Sequence, residues 1–231
     1  MYCVVHSCAT HYLAYSHHSA TVTPSTIGRN LRVSDKQCVV TATSVCLSNS
    51  LATQLYSGKV SSVEFVYREE WGALEPKSLT QLNPPMSKVI IHHTAAGKCT
   101  TKEECVEEVK KTQRVHMYCN AWDDIGYNFL VGEDGRVYEG RGWYTLGSHS
   151  MGHNTSSYGI CVMGNFMEEL PNDKALSVLK EFINYGVQKG KLTEGYELFG
   201  HRDAQATDCP GLMLYNHIQT WSNFSHRNLR D

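Results

Sequence analysis

From about Val63 onward, short apolar runs of strand length alternate with longer amphipathic runs, and one pair of the short runs is joined by a tight turn. That combination constrains the fold more than anything else in the chain. Lys88 to His92 (KVIIH) has the density of a buried strand, and the small residues Thr94 to Gly97 mark a loop after it. Thr101 and Glu104 form a capping box ahead of Val106, Val109, Gln113 and His116, which recur at helical spacing. Tyr127 to Val131 and Arg136 to Glu139 read as strands, with a hairpin signal in Glu133-Asp134-Gly135 between them. Tyr158 to Met163 is a further strand. Asn172 caps an amphipathic helix that carries Leu176, Leu179, Phe182, Ile183 and Val187 on one side, with Gly190 past its end. Glu197 to Phe199 is a short strand, and Leu212 to Trp221 a closing helix. Interleaving alone would give a parallel sheet, but a hairpin forces one antiparallel pair. The expected fold is therefore mixed α/β, a central mixed sheet flanked by helices.

The 231 residues divide unevenly. Residues 1 to about 60 are rich in Ser and Thr and show no sustained periodicity, so a poorly ordered extension is expected there and one compact domain over 61–231. A formal net charge of -2 leaves no basic footprint, which argues against nucleic acid and anionic membrane surfaces as partners. No apolar run reaches the roughly 18 residues of a transmembrane helix. The 9 cysteines favour an oxidising compartment. Cys99 and Cys105 flank a short polar turn and are the expected bridge, because a small loop closes easily. The start of the chain points the other way. It has no basic leader, and His6, His11, His17 and His18 interrupt its apolar stretch, so no clear signal peptide is present.

The chemistry-bearing residues are the doublet His92-His93 at the end of a strand, Tyr127 in DIGYNF, and the run GHRDAQATDCPG with His201, Thr207 and Cys209. Two imidazoles and a thiolate are ligand types that zinc prefers, and three protein ligands leave a fourth position open. Successive strand residues face opposite ways, so only one of His92 and His93 is expected to be a ligand. His201 and Cys209 are too far apart for adjacent helix turns and must come from a loop that folds back, helped by Pro210 and Gly211. Zinc there would carry a charge of about +1 and bring the pKa of water towards about 7, low enough for attack on an amide near neutral pH. Taken on spacing alone, the same residues also suit core histidines and a buried structural cysteine. H-E-x-x-H is absent, and Gly140, Gly142 and Gly147 do not make a phosphate loop.

VIIHHTA, WDDIGYNFLVGEDGRVYEGRGW, GSHSMGHN and GHRDAQATDCPG, in this order, resemble the peptidoglycan recognition protein family over about Phe65 to Phe224. The resemblance implies a zinc-dependent amidase fold with a peptide-binding groove above the metal. The implied reaction is hydrolysis of the amide between N-acetylmuramic acid and L-alanine in bacterial peptidoglycan, in innate defence; the alternative is a non-catalytic peptidoglycan-binding or antibacterial member. By motif position, His92, His201 and Cys209 would hold zinc, Tyr127 and Thr207 would be catalytic, and His116, Trp122, Arg141, His149 and Asn154 would line the groove. The family also implies a secreted monomer. Asn223-Phe224-Ser225 is a glycosylation sequon expected to be exposed.

Overall fold

The computed structural model describes residues 63–230, and the extension expected over residues 1 to about 60 lies outside the described residues. Among the described residues, six strands and five α-helices follow in the order β1 (Phe65–Val66), α1 (Arg68–Trp71), β2 (Met86–His93), α2 (Lys102–Arg114), β3 (Phe129–Val131), β4 (Val137–Glu139), β5 (Ser157–Val162), α3 (Asp173–Gln188), β6 (Leu192–Gly200), α4 (His201–Ala204) and α5 (Leu212–Ile218). The strands form one sheet in the order β1-β4-β3-β5-β2-β6. The β3–β4 hairpin is its antiparallel pair and every other neighbouring pair is parallel. This is the mixed α/β sheet that the hairpin requires.

Period-2 alternation sorts the strand residues between two cores. Val89, Ile91, Phe129, Val131, Tyr158, Ile160 and Val162 pack with Leu179, Phe182 and Ile183 of α3 and with Leu214 and Ile218 of α5. On the opposite face Leu130, Tyr138 and Cys161 pack with Trp71 of α1 and with Cys105 and Val109 of α2. Each large apolar side chain buried in this way contributes about 1.5–3 kcal/mol.

Both long helices begin where their caps predict. The Thr101 hydroxyl accepts the Glu104 N–H at 3.3 Å and the Glu104 carboxylate accepts the Thr101 N–H at 3.2 Å, which completes the capping box of α2. A disulfide joins Cys105, in the first turn, to Cys99 with 5.0 Å between their Cα atoms. At α3 the Asn172 Oδ1 accepts the Ala175 N–H at 2.9 Å, while Asn172 Nδ2 donates to the Glu133 carbonyl, which ties the helix start to the hairpin.

Several boundaries differ from the pattern. The α2 helix gives way to a π turn over Val115–Cys119, closed by the Asn120 N–H on the Val115 carbonyl at 3.2 Å, and His116 sits in that wider turn. β3 begins at Phe129, so Tyr127 precedes the strand. β6 begins at Leu192 because Leu192 pairs with Met86 and Glu197 with Lys88, and a bulge carries the polar residues between them. Among the described residues no helix is long and apolar enough to cross a membrane. β2, β5 and β6 run parallel and end together, and in open α/β sheets that carboxyl edge is where ligands bind.

Candidate metal centre

The register that pairs Ile91 with Gly200 brings the next residues, His92 and His201, side by side, with ring centroids 4.4 Å apart. His92 also pairs with Cys161, which places it on the α2 face of the sheet. His93 turns to the other face, where its Nδ1 accepts the Phe166 N–H at 3.3 Å. Strand alternation thus divides the doublet as expected. Cys209 completes the group, with Sγ 3.8 Å from His92 Nδ1. One ligand atom from each of His92, His201 and Cys209 lies within 4.8 Å of the other two, and all three residues are buried.

The loop from Gly200 to Gly211 folds back through its own hydrogen bonds. The Arg202 N–H donates to the Cys209 carbonyl at 2.9 Å, and the Arg202 guanidinium donates to the Asp208 carbonyl. Asp203 Oδ2 accepts the Gly200 N–H at 2.8 Å and Oδ1 accepts the Tyr215 hydroxyl at 2.6 Å. Burial and this bond to Asp203 push the Tyr215 phenol up to about 12. The Thr207 Oγ1 accepts the Cys209 N–H at 3.2 Å, a side-chain turn that sets the thiol's approach. Gly211, with φ at +94°, runs so close to Phe166 that a Cβ would fall 2.4 Å from its carbonyl, and only glycine fits.

The outward nitrogens of the two imidazoles have partners of their own. His92 Nε2 is 3.1 Å from His149 Nδ1, and His201 Nε2 is 2.6 Å from Gln205 Oε1. His149 is buried against Gly159, where a Cβ would lie 2.3 Å from the imidazole Cγ. Burial, reinforced by His92 and His201, holds the His149 imidazole well below its ordinary pKa.

A row of rings leads away from this centre. Tyr127 is 5.2 Å from His92, His116 is 5.4 Å from Tyr127, and Trp122 is 4.8 Å from His116, all between centroids. His116 Nδ1 accepts the Gly126 N–H at 2.9 Å, which orients its ring. Arg141 and Asn154 are engaged with the walls. The Arg141 guanidinium donates to the carbonyls of Ile125 at 2.7 Å and Leu146 at 2.8 Å, and Asn154 Oδ1 accepts the N–H groups of His149 and Ser150. Asn223 is half-buried rather than exposed, because its Nδ2 donates to the Tyr196 carbonyl at 3.0 Å beside β6.

Two imidazoles and a thiolate are donor types able to hold a metal ion such as zinc. A tetrahedral site with Zn–N near 2.05 Å and Zn–S near 2.3 Å has an N···S edge of about 3.6 Å; the His92–Cys209 separation is 3.8 Å, and the whole group spans up to 4.8 Å. The residues that the sequence pattern did not reveal are Gln205, which meets His201, and Asp203 and Tyr215, which brace the loop. Only Gln205 carried a signal, its helical i to i+4 spacing from His201.

Comparison with known proteins identifies the family of this fold. The model of the N-acetylmuramoyl-L-alanine amidase family matches residues 82–212. Peptidoglycan-recognition protein SC2 of Drosophila melanogaster is 39% identical over 174 residues, which cover 75% of this chain and 95% of that protein. Peptidoglycan recognition protein 1 of Bos taurus is 44% identical over 160 residues, covering 69% of this chain and 84% of the relative. Among solved structures, Drosophila PGRP-LB superposes with a TM-score of 0.70 at 37% identity, over 71% of this chain and 98% of that one. Peptidoglycan recognition protein LE, in complex with tracheal cytotoxin, a monomeric diaminopimelic acid-type peptidoglycan, gives 0.69 at 39% identity over 70% of this chain and 95% of that one. The chain belongs to the peptidoglycan recognition protein family, with an amidase-type fold.

Proposed function

We propose that this protein is a zinc-dependent N-acetylmuramoyl-L-alanine amidase that cleaves bacterial peptidoglycan outside the cell, in innate defence, through its domain of residues 61–231. The observation that carries this reading is the buried donor set of His92, His201 and Cys209, closed up at the carboxyl edge of the sheet. Zinc held there would supply Lewis-acid polarisation of the scissile carbonyl and lower the pKa of water to about 7. The Cys99–Cys105 bridge supports an extracellular setting.

The chain's own groups account for the rest. The Tyr127 hydroxyl donates to the oxyanion as charge develops on the carbonyl oxygen. Thr207 accepts the Cys209 N–H through its oxygen and still has its O–H to donate to the same carbonyl. The rings of Trp122, His116 and Tyr127 form the wall along which the stem peptide lies. His149 stands beside His92 at the floor of the groove, and Arg141 and Asn154 hold the flanking loops while presenting their remaining polar edges to the peptide.

The test is turnover. Purified protein is expected to release stem peptides from peptidoglycan, to stop when a chelator is added, to recover with zinc, and to be inactive as Cys209→Ser. A second reading is peptidoglycan recognition without cleavage; the relative LE was solved bound to a diaminopimelic acid-type peptidoglycan. Zinc-loaded protein that binds peptidoglycan and frees no peptide would decide for that reading.

A further inference from the structure

His201 opens α4 and Gln205 follows its last residue, so the two side chains stand one helical turn apart on the same face. The pair is held twice. The Gln205 backbone N–H donates to the His201 carbonyl at 3.0 Å, and Gln205 Oε1 lies 2.6 Å from His201 Nε2. An amide oxygen only accepts, so with Oε1 in this position Nε2 carries the imidazole proton and the lone pair is on Nδ1. A nitrogen that donates a hydrogen bond cannot at the same time bind a metal. Rotating the Gln205 amide by half a turn would present its NH2 to Nε2, move the proton to Nδ1 and leave neither nitrogen suited to the centre.

We propose that Gln205 is a positioning residue of the metal centre: its side-chain carbonyl fixes the tautomer and orientation of His201 and assigns Nδ1 as the ligand atom. The other imidazole follows the same pattern. The His92 Nδ1 is the nitrogen near Cys209 Sγ, and its Nε2 is engaged by His149. Metal-binding histidines generally hold their outward N–H in this way, and loss of the partner costs about 10- to 100-fold in metal affinity. Gln205 is half-buried at the end of a single helical turn, where leucine keeps the bulk and removes the acceptor. Glutamate keeps the acceptor and adds charge.

This inference rests on the reading of the three-residue cluster as a metal site, and the experiment separates the two. Zinc dissociation constants are measured by chelator competition for the full chain as wild type, Gln205→Leu and Gln205→Glu. The His201 tautomer is read from imidazole nitrogen NMR shifts in the metal-free proteins. The expected result is zinc binding weakened about 10- to 100-fold in Gln205→Leu, wild-type or tighter binding in Gln205→Glu, and the Nε2–H tautomer in wild type giving way to a mixture in Gln205→Leu. Equal zinc affinity in wild type and Gln205→Leu would overturn the proposal, as would an Nδ1–H tautomer in the wild type or a loss in Gln205→Glu as large as that in Gln205→Leu. Should Gln205→Leu fail to fold, the wild-type tautomer and the Gln205→Glu affinity decide. Wild-type protein that binds no zinc would sink the metal reading, and the tautomer comparison would still judge Gln205.

Discussion

Tyr127 stands where the ring row meets the His92, His201 and Cys209 cluster, 5.2 Å from His92 and 5.4 Å from His116. Phenylalanine preserves that packing and removes only the hydroxyl. Tyr127→Phe is expected to lower kcat by about 10²-fold, the scale for one lost oxyanion donor, with zinc content by metal analysis unchanged. An unchanged kcat would remove the hydroxyl from the mechanism. Gly159 is a packing position, since any Cβ there meets the His149 ring at 2.3 Å. Gly159→Ala should cost about 1–3 kcal/mol in denaturant unfolding, the usual cost of overpacking; a variant as stable as wild type would show that the imidazole has room to move. At this scale the doublet was legible because alternation is a property of any strand, and it separated His92 from His93 without knowledge of the partner. The partners of the ligands were not legible. The His92–His149 contact joins positions 57 residues apart, and no local pattern encodes which loop closes over which strand end.

Among the elements, the Gly200–Gly211 loop sets where His201 and Cys209 stand, and Tyr215 of α5 anchors it through Asp203. The folded-state pKa of Tyr215, about 12, lies above the ordinary value of 10.0. Stability from this protonated phenol is therefore fully present below its ordinary pKa and lost as pH rises through the folded value. The stability difference between wild type and Tyr215→Phe is expected to hold constant up to about pH 10 and to fade by about pH 12, followed by denaturant unfolding across that window. A difference that persists undiminished at the upper end would contradict the anchoring role. Helices were well defined by their caps, as at Thr101 and Asn172, because a cap is a local bond between near neighbours. β6 was only half visible, since Thr193, Glu194 and Gly195 lie in a bulge with no alternation to read. The π turn that carries His116 leaves no sequence signature distinct from the helix it interrupts.

Across the whole molecule, residues ahead of the matched amidase region hold the walls of the site together. Lys77 donates its backbone N–H to the Asp123 carbonyl at 2.8 Å and its ammonium to the Met117 carbonyl at 2.9 Å, while the Leu146 N–H donates to the Thr80 carbonyl at 2.8 Å. Buried Asp124 is paired with Arg68 at 2.9 Å and also accepts from Gln113 and the Ile125 N–H. The hairpin within an alternating chain fixed the mixed character of the sheet in advance, but this strap crosses from residues 68–82 to loops far along the chain and had no periodicity to announce it. A metal that binds only the folded state adds stability by mass action, about 4 kcal/mol at a thousandfold excess over its Kd. A chelator should therefore lower the Tm of the wild type and leave Cys209→Ser unmoved; equal shifts in both would place the bound metal elsewhere. The most direct measurement is mass spectrometry of a defined muramoyl-peptide after incubation with zinc-loaded protein. The account predicts the free sugar and a stem peptide with a new L-alanine amino terminus, and recovery of the intact muramoyl-peptide would contradict it.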